Sequence, residues 1–121
     1  MSNQEFQFFL KEDVDELILT AALSDILGFS VASVPYYSSN TAGVAQITTF
    51  DVGFKCGCLV TYTDKDKIDE QIVALALAKN LHIELIFEME KSDKWLHVQP
   101  NGEHREVTVI DIDVGVDIAP E

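Results

Sequence analysis

The sequence predicts an α+β fold, a largely antiparallel β-sheet with two helices packed on one face. Short segments alternate apolar and polar residues, which is the period of a half-buried strand. Two longer segments combine helical spacing with capping residues. An Asn-Gly pair between two alternating segments predicts a tight hairpin, in which neighbouring strands run antiparallel. The predicted order along the chain is β-α-β-β-β-α-β-β-β.

The first elements are a strand, a helix and a second strand. "EFQFFL" alternates from Phe6 onward and predicts the first strand. "DVDELILTAALSDILGF" predicts a helix that begins at the N-cap Asp13 and ends at Gly28. "SVASVPYY" predicts a short strand that either lies at a sheet edge or ends at Pro35, because Pro35 cannot donate a ladder hydrogen bond. The predicted buried face of the helix contains Leu17, Ile18, Ala21 and Ala22.

The middle of the chain is a long β region. Every even position in the range 50–62 is apolar, which predicts one long strand, bent near Gly53 and paired with residues 44–48. Cys56 and Cys58 share this apolar face. A disulfide between positions i and i+2 would distort the backbone, so we expect two buried, reduced thiols.

The second half repeats the pattern of helix followed by strands. "DKDKIDEQIVALALAKNL" predicts a helix that ends at a left-handed Asn80, and "LHIELIFEM" predicts the strand after it. "KWLHVQPNGEHREVTVIDIDVGVDI" predicts a hairpin that turns at Asn101 and Gly102. Its final segment, "IDIDVGVDI" at 110–118, predicts a last strand with one apolar face and one acidic face.

The composition fits a single domain over residues 1–121, and the charge limits its partners. Eight Lys and Arg residues against 21 Asp and Glu residues give a net charge of −13. Such a field repels nucleic acid and anionic membranes, and it attracts basic proteins. The sequence contains no run of about 18 apolar residues and no signal-peptide pattern, so we expect a cytoplasmic protein.

Carboxylates are therefore the candidate binding residues, although an acidic face also serves solubility. Like charges in a row repel one another, and a basic partner would remove that cost. Asp111 and Asp113 could alternatively hold magnesium, but the field would repel the phosphates that usually accompany it. The candidate partner-binding residues, including one amphipathic aromatic anchor, are Glu12, Asp13, Asp15, Glu16, Trp95, Asp111, Asp113 and Asp117.

The histidines of the predicted hairpin form a second candidate site. A two-residue turn would place His97, His104 and Glu106 on one face. Two imidazoles and a carboxylate are a common zinc set, and a histidine with a glutamate also forms an acid–base pair. A solvated hairpin face has the same composition, and the sequence lacks an H-E-x-x-H pair or a fourth ligand. We expect no metal, no cofactor and no catalytic residue, and keep a small metal-dependent or acid–base enzyme as the alternative.

The chain resembles the small acidic immunity proteins of bacterial contact-dependent growth inhibition and related polymorphic toxin systems. The resemblance lies in size, charge and layout, and in the segments "KEDVDELILTAAL", "ALALAKNLHIELIF" and "DKWLHVQPNGEHREVTV". It implies a non-enzymatic protein that binds one cognate toxin domain, expected to be a basic nuclease, and blocks its active site or an adjacent exosite. It implies no individual functional residue. An adaptor subunit that pairs through a strand edge remains a further alternative, and an oligomer of identical chains remains open.

Overall fold

The computed structural model of the protein describes residues 4–33, 42–63, 68–89, 94–112 and 115–119, with the backbone alone at 111 and 112. These residues form an α+β fold whose sheets are mostly antiparallel, as the sequence predicts. The elements in chain order are β1 (Gln4–Leu10), α1 (Glu16–Leu27), β2 (Val31–Ser33), β3 (Gly43–Thr49), β4 (Val52–Gly53), β5 (Cys56–Tyr62), α2 (Glu70–Leu81), β6 (Leu85–Glu88), β7 (Trp95–Val98), β8 (His104–Val107), β9 (Val109–Ile112) and β10 (Gly115–Ile118).

The larger sheet has the strand order β2-β3-β5-β1-β6-β7-β8 among the described residues. All its neighbours are antiparallel except β2 and β3, which run parallel. The first strand of the chain, β1, lies at the centre, where Phe8 pairs with Cys58 on one side and with Phe87 on the other. The short strand β2 is an edge strand, as predicted, while Pro35 lies outside the described residues.

Both helices pack on one face of this sheet. Leu19 and Leu23 of α1 and Leu77 of α2 are fully buried against the even-numbered side chains of β1 and β5. Aromatic rings fill the centre of this layer, and the ring centroids of Phe6 and Phe87 lie 5.3 Å apart. Burial of these apolar side chains is the main stabilising contribution to the fold.

The buried face of α1 differs from the predicted one. Leu17 and Ile18 are 62% and 58% exposed, and Ala21 is also exposed, so of the four predicted residues only Ala22 is buried. The stripe that faces the sheet follows the helical period through Leu19, Ala22, Leu23 and Ile26. The predicted stripe would have continued into Asp25, whose charge is costly to bury. The helix therefore turns its other apolar stripe toward the sheet.

The helix ends are set by local hydrogen bonds. Asp15, and not the predicted Asp13, is the N-cap of α1, because its Oδ1 accepts a hydrogen bond from the Leu17 backbone nitrogen at 2.9 Å. Gly28 ends α1 in a left-handed conformation, as predicted. The second helix continues through Asn80 and ends at His82, with φ of 57°, because Leu81 still packs against the core.

A smaller sheet, with the order β4-β10-β9, covers part of the opposite face of the large sheet. Phe54 and Val116 from this unit are buried against Phe9 and Ile86 of the large sheet. The predicted single strand over 50–62 is therefore wrong. Gly53, with φ of 73°, interrupts it, so that Phe54 packs on the helix-free face while Cys56 packs beneath the helices.

Candidate functional site

Among the predicted binding residues that the structure describes, the most exposed group lies in the segment that joins β1 to α1. Glu12, Asp13 and Asp15 are exposed, and Glu16 is half-buried at the first position of α1. Carboxylates are favoured here because the helix N-terminus carries a partial positive charge. Helix stability therefore accounts for part of this acidic cluster.

Helix stability does not account for the two apolar residues that follow. Leu17 and Ile18 are among the most exposed large hydrophobic side chains of the described residues. Protein-binding surfaces commonly combine an apolar centre with a charged or polar rim. The arrangement matches that pattern, with exposed carboxylates directly beside exposed aliphatic side chains. The α1 surface is defined here as Glu12, Asp13, Asp15, Leu17 and Ile18.

The predicted acidic row of the last strand is not a continuous row in the structure. The segment 110–118 is divided into β9 and β10, which pair antiparallel, with Asp117 opposite Ile110 and Val116 opposite Asp111. Because side chains alternate between faces along a ladder, positions 111 and 117 belong to opposite faces. Asp117 is half-buried, and its Oδ1 accepts a hydrogen bond from the Ile118 backbone nitrogen at 2.8 Å. Asp113 lies outside the described residues.

Trp95 lies between the two sheets and is half-buried. Its ring centroid is 5.6 Å from that of Phe9, and it packs with the cluster formed by Phe54 and Val116. Trp95 therefore stabilises the contact between the sheets, and the structure places it apart from the α1 surface.

The histidines of the β7–β8 hairpin lie on opposite faces, which corrects the predicted arrangement of His97, His104 and Glu106. The Gly102 backbone nitrogen donates to the Gln99 carbonyl at 3.0 Å, and the Gln99 nitrogen donates to the Glu103 carbonyl at 2.8 Å. These bonds close a three-residue turn instead of a two-residue turn. The ladder consequently pairs His97 with Arg105, and a shift of one residue moves every side chain to the other face.

The physical reason for this register is the residue before the Asn-Gly pair. Pro100 has the fixed φ that suits the second position of a type I turn, and Gly102, with φ of 95°, supplies the left-handed residue that follows it. As a result, His104 and Glu106 lie on the helix side of β8, where the His104 Nε2 is 3.3 Å from the Gln71 Nε2.

The partner of His97 comes from outside the predicted hairpin site. Its Nε2 lies 2.6 Å from Oε2 of Glu84, which directly precedes β6. Strand parity places Glu84 on the face of His97 once the register is known, because Ile86 pairs with His97 and Glu84 shares the parity of Ile86. The imidazole also meets the ring of Phe54 edge-on, with the centroids 6.5 Å apart.

This histidine–glutamate pair links the two sheets. His97 and Glu84 belong to the large sheet region, whereas Phe54 belongs to the segment that bridges to Val116 of β10. The Nζ of Lys11 lies over the Phe54 ring, 4.7 Å from the ring centroid. Glu84 can fix the orientation of the imidazole. The described residues contain no group of three or more His, Cys, Asp or Glu side chains that could hold a metal ion.

Cys56 and Cys58 are free thiols with almost no exposed surface, as predicted. Burial raises the pKa of both thiols, and the neighbouring Cys56 raises the pKa of Cys58 further. A protonated, enclosed thiol is a poor nucleophile.

No helix of the described residues is both long enough and apolar enough to cross a membrane. No protein-family model, curated protein or solved structure matches this chain.

Proposed function

We propose that this protein is a non-catalytic inhibitor that binds a basic protein domain through the α1 surface, as an immunity protein binds its toxin. The observation that carries the proposal is the exposure of Leu17 and Ile18 beside the exposed carboxylates of Glu12 and Asp13. The aliphatic side chains supply apolar area for a stable contact, and the carboxylates supply complementarity to a basic partner.

The chemistry of the partner follows from the charge. A domain that cleaves nucleic acid must hold phosphates with Lys and Arg and is therefore basic. A chain with a net charge of −13 competes for that basic surface, and its field accelerates the encounter. We assign the inhibitor to the cytoplasm, where the toxin would meet nucleic acid and where the free thiols Cys56 and Cys58 stay reduced.

The distribution of the histidines supports a binding role over the enzymatic alternative. His97, His104 and Glu106 do not converge on one face, and the carboxylate beside His97 belongs to Glu84. The α1 surface, in contrast, brings residues of complementary binding chemistry together within one short segment.

The test begins with capture of a partner from the native cell by the immobilised full chain. The captured protein is identified, purified and assayed for nucleic-acid cleavage with and without an equimolar amount of this protein. We expect a basic domain whose activity is inhibited stoichiometrically. The double variant Leu17→Gln, Ile18→Gln should weaken binding at least about tenfold, because it removes apolar contact area without changing charge and without lowering helix propensity.

A charge variant and a control complete the experiment. Glu12→Gln with Asp13→Asn should slow association and reduce its dependence on NaCl, because screening at about 0.15 M salt limits charge effects to about 8 Å. The control Ile110→Thr alters an exposed aliphatic side chain of β9 and should leave binding unchanged. Binding that is insensitive to both α1 variants, or a partner whose activity is not inhibited, would refute the proposal.

A further inference from the structure

The large sheet is wider than the helix layer that covers it. Seven strands at about 4.8 Å spacing extend well beyond two helices that are each about 10 Å in diameter. The uncovered part is β8. The helix-side residues of its neighbour β7, Leu96 and Val98, are buried, whereas His104 and Glu106 on the helix side of β8 are exposed.

One side of α2 borders the uncovered surface of β8 and is largely apolar. Ile72, Leu75, Ala76 and Lys79 follow the spacing i, i+3, i+4, i+7 and therefore lie along one side of the helix. Ile72 is 64% exposed, and Leu75 and Ala76 are half-buried. The buried residues of α2, including Val73 and Leu77, occupy a different side of the helix. Leu75 packs partly against the core, whereas Ile72 is left largely exposed.

The β7–β8 turn lies at one end of the uncovered surface between α2 and β8. A cavity of about 510 Å³ lies between Leu75, Ala76 and Lys79 of α2 and the turn residues 100–102. Nearer the start of α2, the side chains of Gln71 and His104 are in contact between the helix and β8. The α2–β8 groove is defined here by Ile72, Leu75, Ala76, Lys79, His104, Glu106 and the turn 100–102.

The charged residues around the groove indicate the charge of the segment that it would bind. Glu106 is exposed on the floor and has no ion-pair or hydrogen-bond partner within the described ranges, and Asp69 is exposed at the start of α2. Lys79 is the basic residue of the last turn of α2, at the end of the groove that the turn closes. A bound segment would therefore be stabilised if its apolar side chains faced α2 and its basic side chains faced Glu106 and Asp69.

We propose that the α2–β8 groove binds a basic amphipathic helix of a protein partner, which completes the helix layer as a third helix. Helices that lay an apolar face into a groove are read through anchors at i, i+3, i+4 and i+7, the same spacing that α2 presents. The inference goes beyond the proposed inhibitor function, because it requires neither the α1 surface nor a toxin as the partner.

The experiment uses the full chain and a fluorescein-labelled synthetic peptide with leucines on one helical face and lysines on the other. Fluorescence anisotropy measures its affinity, and a peptide of identical composition in scrambled order serves as the reference for charge alone. We expect the amphipathic peptide to bind at least about tenfold more tightly than the scrambled one. Ile72→Gln should remove most of that difference, and Glu106→Gln should weaken binding about two- to threefold.

The control variants distinguish the groove from other surfaces. Ile110→Thr should leave the affinity unchanged, and circular dichroism melting should show that each variant is folded. Equal affinity for both peptides would refute the groove. Loss of affinity in Ile18→Gln but not in Ile72→Gln would assign the peptide to the α1 surface and also refute it. Conversion of a dimer to a monomer by Ile72→Gln, seen by sedimentation, would identify a second copy of the chain as the occupant instead.

Discussion

At the scale of single residues, burial determines the chemistry of Cys56 and Cys58. Both thiols lie on the helix side of β5, where Cys58 is paired across the ladder with Phe8, and burial raises the pKa of each above its ordinary value of 9.0. The parity of β5 predicts this position correctly. Whether these thiols remain protonated therefore depends on whether the core is formed.

We expect these thiols to make the folded state less stable at alkaline pH. Below the ordinary thiol pKa both states are protonated, so the full contribution is present. As the pH rises above about 9, thiols of the unfolded chain ionise more readily than the buried thiols of the folded chain, and stability falls by up to about 1.4 kcal/mol per pH unit for each thiol. Urea unfolding at pH 7 to 10 measures the effect.

Lysines and tyrosines also titrate in this range, so the informative quantity is a difference. The variant Cys58→Ala should lose less stability between pH 8.5 and 10 than the wild type, although the smaller side chain costs stability at every pH. Identical pH profiles for the two proteins would contradict the assignment.

Residue contacts between distant segments are less predictable than burial. The parity of a single strand predicts the position of Cys58, because the information lies within a few residues. The pairing of His97 with Glu84 depends on the register between β6 and β7, which the pattern of a single strand does not contain. The exposed Leu17 and Ile18 were likewise predicted to be buried, because two helical stripes of α1 are both apolar in the sequence.

At the scale of elements, a close approach of two backbones holds the small sheet together. A Cβ at Gly115 would lie 2.2 Å from the Val52 carbonyl oxygen, so the parallel pair β4–β10 requires a glycine there. Gly102 is a glycine for a different reason, since its φ of 95° is left-handed but a Cβ there would meet nothing within 4 Å. The two glycines therefore separate the effect of steric exclusion from that of backbone strain.

We expect Gly115→Ala to detach β10 from β4 and to loosen the small sheet. Trp95 is the single tryptophan and packs between the sheets, so its fluorescence emission should shift to the red. Gly102→Ala should cost about 1 kcal/mol from backbone strain alone and leave the emission unchanged. An unshifted spectrum in folded Gly115→Ala, or equal shifts in both variants, would show that the small sheet does not depend on this contact.

Element types were more predictable than element boundaries and registers. Alternation and helical spacing indicate both helices and most strands, because these periods are local. The hairpin register required a choice between a turn of two residues and one of three, and Pro100 decides it. The divided strand at Gly53 and the hairpin within 110–118 depend on contacts with each other, through Gly115 and Val52, which no local pattern contains.

At the scale of the whole molecule, the net charge of −13 acts on stability as well as on binding. Like charges on one compact surface repel one another, and unfolding relieves the repulsion. We expect the midpoint of urea unfolding to rise when NaCl is increased from about 0.02 M to about 0.3 M, because salt screens this repulsion.

A charge-reduced variant tests the cause of that effect. Glu12→Gln, Asp13→Asn and Glu88→Gln remove three exposed negative charges without removing an N-cap. The variant should be more stable than the wild type at low salt and should gain less from added NaCl. If added NaCl raised the stability of both proteins equally, the effect would be general salting-out and not the relief of charge repulsion.

The central position of β1 means that the chain cannot fold in the order of its synthesis. Its neighbours are β5 and β6, so "EFQFFL" leaves the ribosome long before either partner exists. Until then this apolar segment offers unpaired backbone groups to any other extended chain. Termination of translation before β6 would therefore produce an aggregating fragment instead of a smaller folded domain. Pairing with β5 and β6, which are synthesised later, is therefore what protects β1 from other extended chains.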